Sequence, residues 1–289
     1  MSVVIPTRAG WPNFGLSLDA VLPQVRALGG QLVIADASGL PAPDWAADAD
    51  VEWIEMPGVP GYELRQAAYG RATGEIVAIT EDHCAPSPDW LASVMEEHRR
   101  DPDAAAIYGM VENGSRKHSV DWALYGAGYL PWAPPRPRAH GNPGHANLTF
   151  KSWAFERVAP KGDQVLEFRY VSALRAAGCK VVASDRLLVT HVQCASIRTT
   201  GLLFFHDGRA IAGLRRQHMS ALDWVRTALP PVIAGYRTLR TLATARSKPA
   251  VAMQVVRSAP LIAVLHLCHT IGETVGYLGG PGDSGSRLH

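Results

Sequence analysis

The side chains best suited to chemistry lie in one short segment, Glu81-Asp82-His83, which directly follows a mainly apolar run at 75–80. In an extended chain alternate side chains point the same way, so Glu81 and His83 face one side and Asp82 faces the other. A carboxylate and an imidazole on one side can share a metal ion. Imidazole suits Mn²⁺ or a softer ion better than Mg²⁺, which prefers oxygen ligands. The segment therefore predicts a divalent-cation site at which Mn²⁺ is preferred to Mg²⁺.

Short β-branched runs alternate with helical patterns over the first hundred residues. The runs are typical of buried parallel strands, and they lie at 2–7, 31–35, 51–56 and 75–80. This alternation favours an α/β fold with a parallel sheet. Ligands of such sheets lie outside the carboxyl ends of the strands, so Thr7, Asp36 and the 81–83 segment should converge on one rim. A later extended run at 180–191 returns to the same rim, which makes His191 a further candidate metal ligand.

Composition and charge narrow the class of protein. The 289 residues are 47% hydrophobic and carry a formal net charge of only +2, so the total charge gives no sign of nucleic-acid binding. The four cysteines form no CxxC pair, which indicates a reduced, cytosolic protein without disulfides. The chain opens directly into a strand-like run, so we expect no secretory signal. No GxGxxG follows a strand, which argues against a dinucleotide-dependent oxidoreductase.

Five segments between about Ser2 and Val192 resemble, in order, those of the family 2 glycosyltransferases. The segments lie at 2–7, 36–38, 64–67 with 72–76, 80–91, and 147–150 followed by 166–191. The most specific is 80–91, which looks like the family's acidic metal-binding run followed by its Pro-x-Pro-x-Trp-Leu helix start. Two positions depart from the family pattern, since Gln66 stands where Asn is usual and His83 where a carboxylate is usual. The resemblance implies the glycosyltransferase A-type fold, a Rossmann-like mixed, mainly parallel sheet flanked by helices.

The resemblance also implies roles for single side chains. Asp36 matches the family's base-binding Asp, and Pro6, Thr7, Arg65 and Asp82 are implied to bind the nucleotide sugar. Sugar transfer leaves a pyrophosphate with new negative charge, which a divalent cation or basic side chains must neutralise. Asp36 has an alternative role as a turn former that bonds its own backbone.

The family's catalytic carboxylate corresponds to Glu167, counted back from Gly178. As a general base, Glu167 would remove the proton of the acceptor hydroxyl while the oxygen attacks the anomeric carbon. Attack from the face opposite the leaving group implies inversion. The alternative is that Glu167 is an ordinary surface charge on a helix.

Residues 112–146 are rich in aromatics and proline, and the pattern predicts a long loop. Aromatic rings stack on sugar faces, so Trp122, Tyr125 and Trp132 are candidate acceptor residues. The alternative is that these rings belong to the core.

The last ninety residues have a different character. Residues 198–257 hold ten Lys or Arg against two Asp, a net charge of +8. Apolar residues then recur at helical spacing over 261–278, but His266, His269 and Glu273 interrupt them, so the stretch falls short of the roughly 20 apolar residues of a span. A basic region followed by such a helix fits an interfacial anchor on an anionic inner leaflet. A soluble packing helix and a true span or re-entrant hairpin remain alternatives.

Together these features predict a catalytic domain at 1–197 and a basic, helical, membrane-associating region at 198–289. The predicted function is inverting, non-processive transfer of a sugar from a nucleoside-diphosphate sugar to a glycan or lipid-linked acceptor, on the cytoplasmic side of the cell membrane. The absence of a Gln-x-x-Arg-Trp element argues against a processive synthase. The alternatives are a catalytically inactive carbohydrate-binding or scaffolding subunit of an envelope glycan assembly, and a sugar nucleotidyltransferase. Donor, acceptor and linkage have no readable sequence code.

Overall fold

The computed structural model describes residues 1–137, 143, 146–158, 167–193, 196–216 and 219–288, except for the side chains of six of them, Tyr62, Glu167, Phe168, Arg169, Leu222 and Arg226. The chain divides into two compact units. The sheet unit comprises Met1–Glu112 and Trp132–Val192, and the helical unit comprises Asn113–Pro131 and Gln193–His289.

An eight-stranded mixed sheet forms the sheet unit. Its strands, in chain order, are β1 Ser2–Thr7, β2 Gln31–Asp36, β3 Val51–Glu55, β4 Ile76–Ile79, β5 Cys84–Pro86, β6 Ala104–Asn113, β7 Leu148–Lys151 and β8 Lys180–His191. The order across the sheet is β3-β2-β1-β4-β7-β6-β8-β5. Strands β1 to β4 pair in parallel, while β7 runs antiparallel to β4 and β6, and β5 antiparallel to β8. The predicted α/β class with a mixed sheet is confirmed, and strands β1–β4 form a parallel part of that sheet.

Helices cover the sheet because its strands are apolar on both faces. Alternate residues of the central strands, such as Val4, Val33 and Val77, pack in one buried cluster with α2 Gly61–Tyr69, α5 Ser152–Arg157 and α6 Glu167–Ala176. Helices α1 Gly15–Ala27 and α3 Trp90–Arg100 pack against each other, and α1 also contacts β2 and β5. Burial of both faces agrees with the near-continuous apolar runs of the sequence.

The parallel register brings strand ends together. Thr7 pairs with Asp36 at the carboxyl ends of β1 and β2, and the backbone N–H of Ala37 donates to the carbonyl of Thr7 at 2.9 Å. The loop after β4 begins at the same edge, because the N–H of Thr80 donates to the carbonyl of Val4 at 3.2 Å. The rim expected from the sequence is thus present.

The helical unit is built from helices alone among its described elements. They are α4 Ser119–Gly128, α7 Ile197–Arg215, α8 Ala221–Ala228, α9 Pro230–Ala245, α10 Pro249–Arg257 and α11 Ala259–Gly279. Helix α11 is the centre of the unit and packs chiefly against α7 and α9.

One sequence expectation about this unit was wrong. The predicted loop at 112–146 contains helix α4, which starts at a capping box formed by His118 and Asp121. The apolar stretch at 261–278, which polar residues interrupt in the sequence, lies within α11, a continuous helix of 21 residues. By length and composition alone α11 could cross a bilayer, and 39% of its most apolar 18 residues are buried inside the protein.

Candidate functional site

A turn, rather than an extended segment, places the candidate metal ligands. The N–H of Cys84 donates to the carbonyl of Glu81 at 3.0 Å, which folds residues 81–84 back on themselves. The alternation assumed from the sequence is therefore wrong for this segment. Glu81 and His83 still meet, because the turn brings them together.

Glu81, His83 and His191 form one cluster at the rim. The Nε2 atoms of His83 and His191 lie 2.8 Å apart. The Oε2 atom of Glu81 lies 3.6 Å from the first of these nitrogens and 3.8 Å from the second. The structure thus brings together all three residues that the sequence proposed as metal ligands.

Cys84 joins this cluster, and sequence reasoning missed it. Its Sγ lies 3.8 Å from Oε2 of Glu81, and β5 pairs Cys84 directly with His191 of β8. The ligand atoms of the four residues all lie within 4.8 Å of one another. The only sequence signal for Cys84 as a ligand is that it directly follows His83. In an extended chain its thiol would point away from His83, and the sequence therefore favours a small buried hydrophobe at this position.

Asp82 holds the turn and orients the imidazole. Its Oδ1 lies 2.8 Å from Nδ1 of His83, and its Oδ2 accepts a hydrogen bond of 2.8 Å from the hydroxyl of Thr7. A carboxylate at Nδ1 directs the Nε2 lone pair outward, as in carboxylate–histidine–metal arrangements. Asp82 therefore positions His83 and links it to β1.

The electrostatics of the cluster favour a cation. Burial disfavours the charged form of His83, but the hydrogen bond to Asp82 and the charges of Glu81 and Asp82 outweigh it and raise the His83 pKa. Burial, with the neighbouring charge of His83, lowers the pKa of His191 to about 3. Burial raises the pKa of the Cys84 thiol well above its ordinary value. Negative oxygens beside two imidazoles make a site in which a metal ion can replace a proton.

Two arginines, Arg8 and Arg65, belong to the elements that form this rim. Arg65 of α2 approaches Glu81, with 3.7 Å between its Nη2 and Oε1 of the carboxylate. Arg8, which the sequence analysis did not single out, follows Thr7 and donates from Nη1 to the carbonyl of Val59 at 2.8 Å. The Arg65 guanidinium adds positive charge at the cluster, and Arg8 follows the end of β1, where the half-buried Pro6 lies.

Asp36 is 2% exposed and makes local hydrogen bonds. Its Oδ1 accepts from the N–H of Ser38 at 2.7 Å, and its Oδ2 accepts from the Ser38 hydroxyl at 3.0 Å. This is the Asx-type turn weighed as the alternative. Recognition of a nucleotide base by Asp36 stays a prediction.

The remaining predicted residues are placed only in part. Glu167 is the first residue of α6, and its side chain lies outside the described residues, so its role as general base stays a prediction. Trp122 and Tyr125 lie on α4 in the helical unit, whereas Trp132 belongs to the sheet unit and packs against its core. Tyr125 is only 1% exposed, which agrees with the core alternative.

Comparisons with known proteins give a fold but no family. No family model matches the chain, and no curated protein matches it. Among solved structures, the chain is similar to the mannosyltransferase PcManGT from Pyrobaculum calidifontis in complex with GDP-Man and Mn²⁺, with 15% identity, a TM-score of 0.58, and 96% of this chain and 86% of that chain covered.

Two further solved structures are too weakly similar to support an argument. GalNAc-T7 with UDP, GalNAc and Mn²⁺ gives a TM-score of 0.48 at 14% identity, covering 68% of this chain and 43% of that one. Residues 1–349 of S. aureus TarS give 0.48 at 9% identity, covering 92% and 89%. The likeness to PcManGT and the sheet described above show that the chain has the glycosyltransferase A-type fold, which confirms the predicted fold class.

Proposed function

We propose that this protein is a glycosyltransferase that uses a nucleoside-diphosphate sugar and a divalent cation. The observation that carries the proposal is the cluster of Glu81, His83 and His191 at the carboxyl edge of a parallel sheet, where α/β folds bind ligands. PcManGT, which shares the fold, was solved in complex with GDP-Man and Mn²⁺, and this supports the same assignment.

The donor set fits a metal ion. Two imidazole nitrogens and a carboxylate oxygen face one another, and Asp82 already orients the His83 ring. All three ligand residues are partly or fully buried. When bound, the cation would neutralise charge on the departing diphosphate. Because imidazole supplies two of the three donors, we propose that Mn²⁺ supports the reaction better than Mg²⁺.

This chain's own residues supply the rest of the chemistry. Asp82 holds His83 in position, and Arg8 and Arg65 add positive charge where a diphosphate would lie. Asp36, Pro6 and Thr7 line the strand ends at which the nucleoside would bind. Glu167 is proposed as the base that takes the acceptor proton, in a single displacement with inversion, typically worth about 10²- to 10⁴-fold in rate.

Calorimetric titration with UDP, GDP and dTDP, each with Mn²⁺, Mg²⁺ or neither ion, tests the proposal. We expect one nucleotide to bind selectively, and Mn²⁺ to strengthen binding more than Mg²⁺ does. His83→Ala should weaken the Mn²⁺-dependent binding by at least about tenfold, or about 1.4 kcal/mol. His118→Asn is the matched control, because His118 is exposed and lies in the helical unit. Absence of binding to every nucleotide would instead favour a scaffolding subunit.

Turnover separates an active enzyme from the alternatives. We expect slow, Mn²⁺-dependent hydrolysis of the selected nucleotide sugar without acceptor, and Glu167→Gln should lose most transfer to acceptor while keeping nucleotide binding. Nucleotide binding without any hydrolysis or transfer would point to an inactive carbohydrate-binding subunit. Release of pyrophosphate from a nucleoside triphosphate and a sugar phosphate would point to a nucleotidyltransferase.

We also propose that the helical unit binds an anionic membrane surface, where a lipid-linked or membrane-proximal glycan acceptor would be found. Helix α9 exposes Val232, Tyr236 and Leu239 at 62%, 63% and 69%, and their i, i+4, i+7 spacing places them on one face. Arg240 and Arg246 are exposed as well, at the end of the same helix and directly after it. Exposed apolar side chains beside arginines match the chemistry of an anionic leaflet on the cytoplasmic side.

Co-sedimentation with vesicles of anionic or zwitterionic lipid tests this surface. We expect binding to anionic vesicles that salt weakens, and its loss in Val232→Glu/Leu239→Glu. The control is Met95→Glu, because Met95 is 45% exposed in the sheet unit and should leave binding unchanged. The membrane proposal would be overturned if the double variant bound vesicles normally. It would also be overturned if the exposed face proved to be a contact between two copies of the chain, so that the substitutions changed only the oligomeric state.

A further inference from the structure

Cys84 is the unexplained member of the rim cluster. The residue is completely buried, yet its Sγ faces a carboxylate oxygen of Glu81 at 3.8 Å instead of a purely apolar wall. Its cross-strand partner is His191, a candidate ligand. Its sulfur therefore lies where it can act as a ligand to a metal ion as well as fill space.

Four side chains whose ligand atoms differ in chemical softness meet at this site. Glu81 provides an oxygen, His83 and His191 provide nitrogens, and Cys84 provides a sulfur, all within 4.8 Å of one another. Tetrahedral zinc with bonds of roughly 2.0–2.3 Å places its ligand atoms about 3.3–3.8 Å apart. Four of the six separations are 2.8, 3.6, 3.8 and 3.8 Å, and none exceeds 4.8 Å, so movements of about 1 Å bring the ligand atoms to tetrahedral distances.

We propose that Cys84 is a fourth protein ligand at this site, so that the site binds Zn²⁺, or Co²⁺ in its place, more tightly than it binds Mn²⁺. Thiolate and imidazole ligands select the softer ions, whereas Mn²⁺ and Mg²⁺ favour oxygen. The inference rests on the proposed metal site and not on sugar transfer itself.

The number of protein ligands decides whether a bound metal ion keeps an open coordination position. Four protein ligands complete a tetrahedral shell, as in structural zinc sites, whereas catalytic sites keep a position open. Zn²⁺ held by all four residues would leave no position for a diphosphate oxygen. Mn²⁺, which takes more ligands and has little preference for sulfur, would leave Cys84 unbound and the site open to the donor.

Titration of the purified full-length protein with Co²⁺ tests the ligand assignment. We expect intense visible bands of four-coordinate cobalt together with a near-ultraviolet sulfur-to-cobalt charge-transfer band, both removed by adding Zn²⁺. Cys84→Ser should abolish the charge-transfer band and weaken Zn²⁺ binding by about tenfold or more, at least the effect usual for an outer-shell partner. Cys179→Ser is the matched control, because Cys179 directly precedes β8 at the end opposite His191 and should keep the band.

Two further measurements keep the test decisive. If Cys84→Ser fails to fold, zinc-edge X-ray absorption of the wild-type protein should still show one sulfur at about 2.3 Å. A wild-type spectrum without sulfur would overturn the proposal. Wild-type protein that binds Mn²⁺ and a nucleotide normally, yet shows no sulfur ligand, would refute the role of Cys84 and leave the proposed glycosyltransferase function intact. Sulfur ligation without any nucleotide binding would do the reverse.

Discussion

The interiors of the two units are packed in different ways. The sheet unit buries large side chains, and Trp90, Tyr108 and Phe150 are each no more than 1% exposed. The helical unit brings two backbones into contact along α7 and α11 by omitting side chains. A Cβ atom on Gly208 would collide with the carbonyl of His269, and one on Gly272 with the carbonyl of Phe205.

This difference shows that close packing can be reached in two ways. Large side chains can fill the space between elements, or glycines can let two backbones come into contact. A sheet and its helices lie about 10 Å apart, so large side chains must fill the space between them. Helices that meet at glycines lie closer, because no side chain separates their backbones. The sheet unit should therefore suffer most from losing atoms, and the helical unit most from gaining them.

Loss of a large side chain in the sheet unit gives the largest expected effect. Trp90→Ala removes a fully buried indole whose Nε1 donates to Oδ1 of Asn147 at 3.0 Å, so it leaves a cavity and takes this donor from the amide oxygen. We expect about 4 kcal/mol of destabilisation. Hydrogen exchange, followed by mass spectrometry, should show the loss in peptides of β6, β7 and α3. Trp90→Phe, which keeps most of the volume, should cost clearly less.

Gain of a single methyl group should disrupt the helical unit. Gly272→Ala places a carbon against the backbone of α7, which cannot move aside like a flexible side chain, and we expect about 3 kcal/mol of destabilisation. Exchange should rise in peptides of α7 and α11. The matched control is Gly235→Ala in α9, where a Cβ would meet nothing within 4 Å; it should stabilise the helix by about 0.5–1 kcal/mol. Equal effects of the two substitutions would contradict the packing argument.

Acid should weaken the sheet unit through His98. Burial, together with the nearby charge of Lys151, lowers the pKa of His98 to about 4, so the fold holds the neutral imidazole. The unfolded chain takes up this proton near pH 6.5, so the stability is present above that pH and is lost as the pH falls towards 4. The loss is on the order of 3 kcal/mol. Urea unfolding at several pH values should show a smaller pH dependence in His98→Gln.

The helical unit should respond with the opposite sign through His269. Burial opposes its charge, but hydrogen bonds to Asp207 and Glu273 outweigh burial and raise its pKa, while Arg237 on α9 opposes the charge as well. The contribution of His269 is therefore present below about pH 6.5 and is lost as the pH rises through its folded pKa. We expect a smaller effect than at His98, because the group has both favourable and unfavourable neighbours. The helical unit of the wild-type protein should lose stability as the pH rises, and His269→Gln should no longer show this loss. Loss of stability through His269 as the pH falls would refute the assignment.

Much of the fold and part of the site were predictable from local sequence. The apolar runs ending at Thr7, Asp36 and Thr80 marked parallel strands, and the carboxyl ends of parallel strands share one edge for geometric reasons alone. The choice of His191 as a neighbour of the 81–83 segment followed from that edge, whereas Glu81 and His83 were paired by a strand alternation that the turn at 81–84 replaces. Helix α4 was not predictable in the same way, because its glycines and aromatics give a weak helical pattern and it is stabilised by packing against α11.

By itself the sequence determined the strand pattern, the shared rim and the types of donor available there, because side-chain chemistry and strand periodicity are local properties. Only the tertiary structure decided that residues 81–84 turn back on themselves, that Cys84 faces His191, and that Gly272 lies against α7. Each of these depends on which atoms approach from a distant part of the chain, and no local pattern records that.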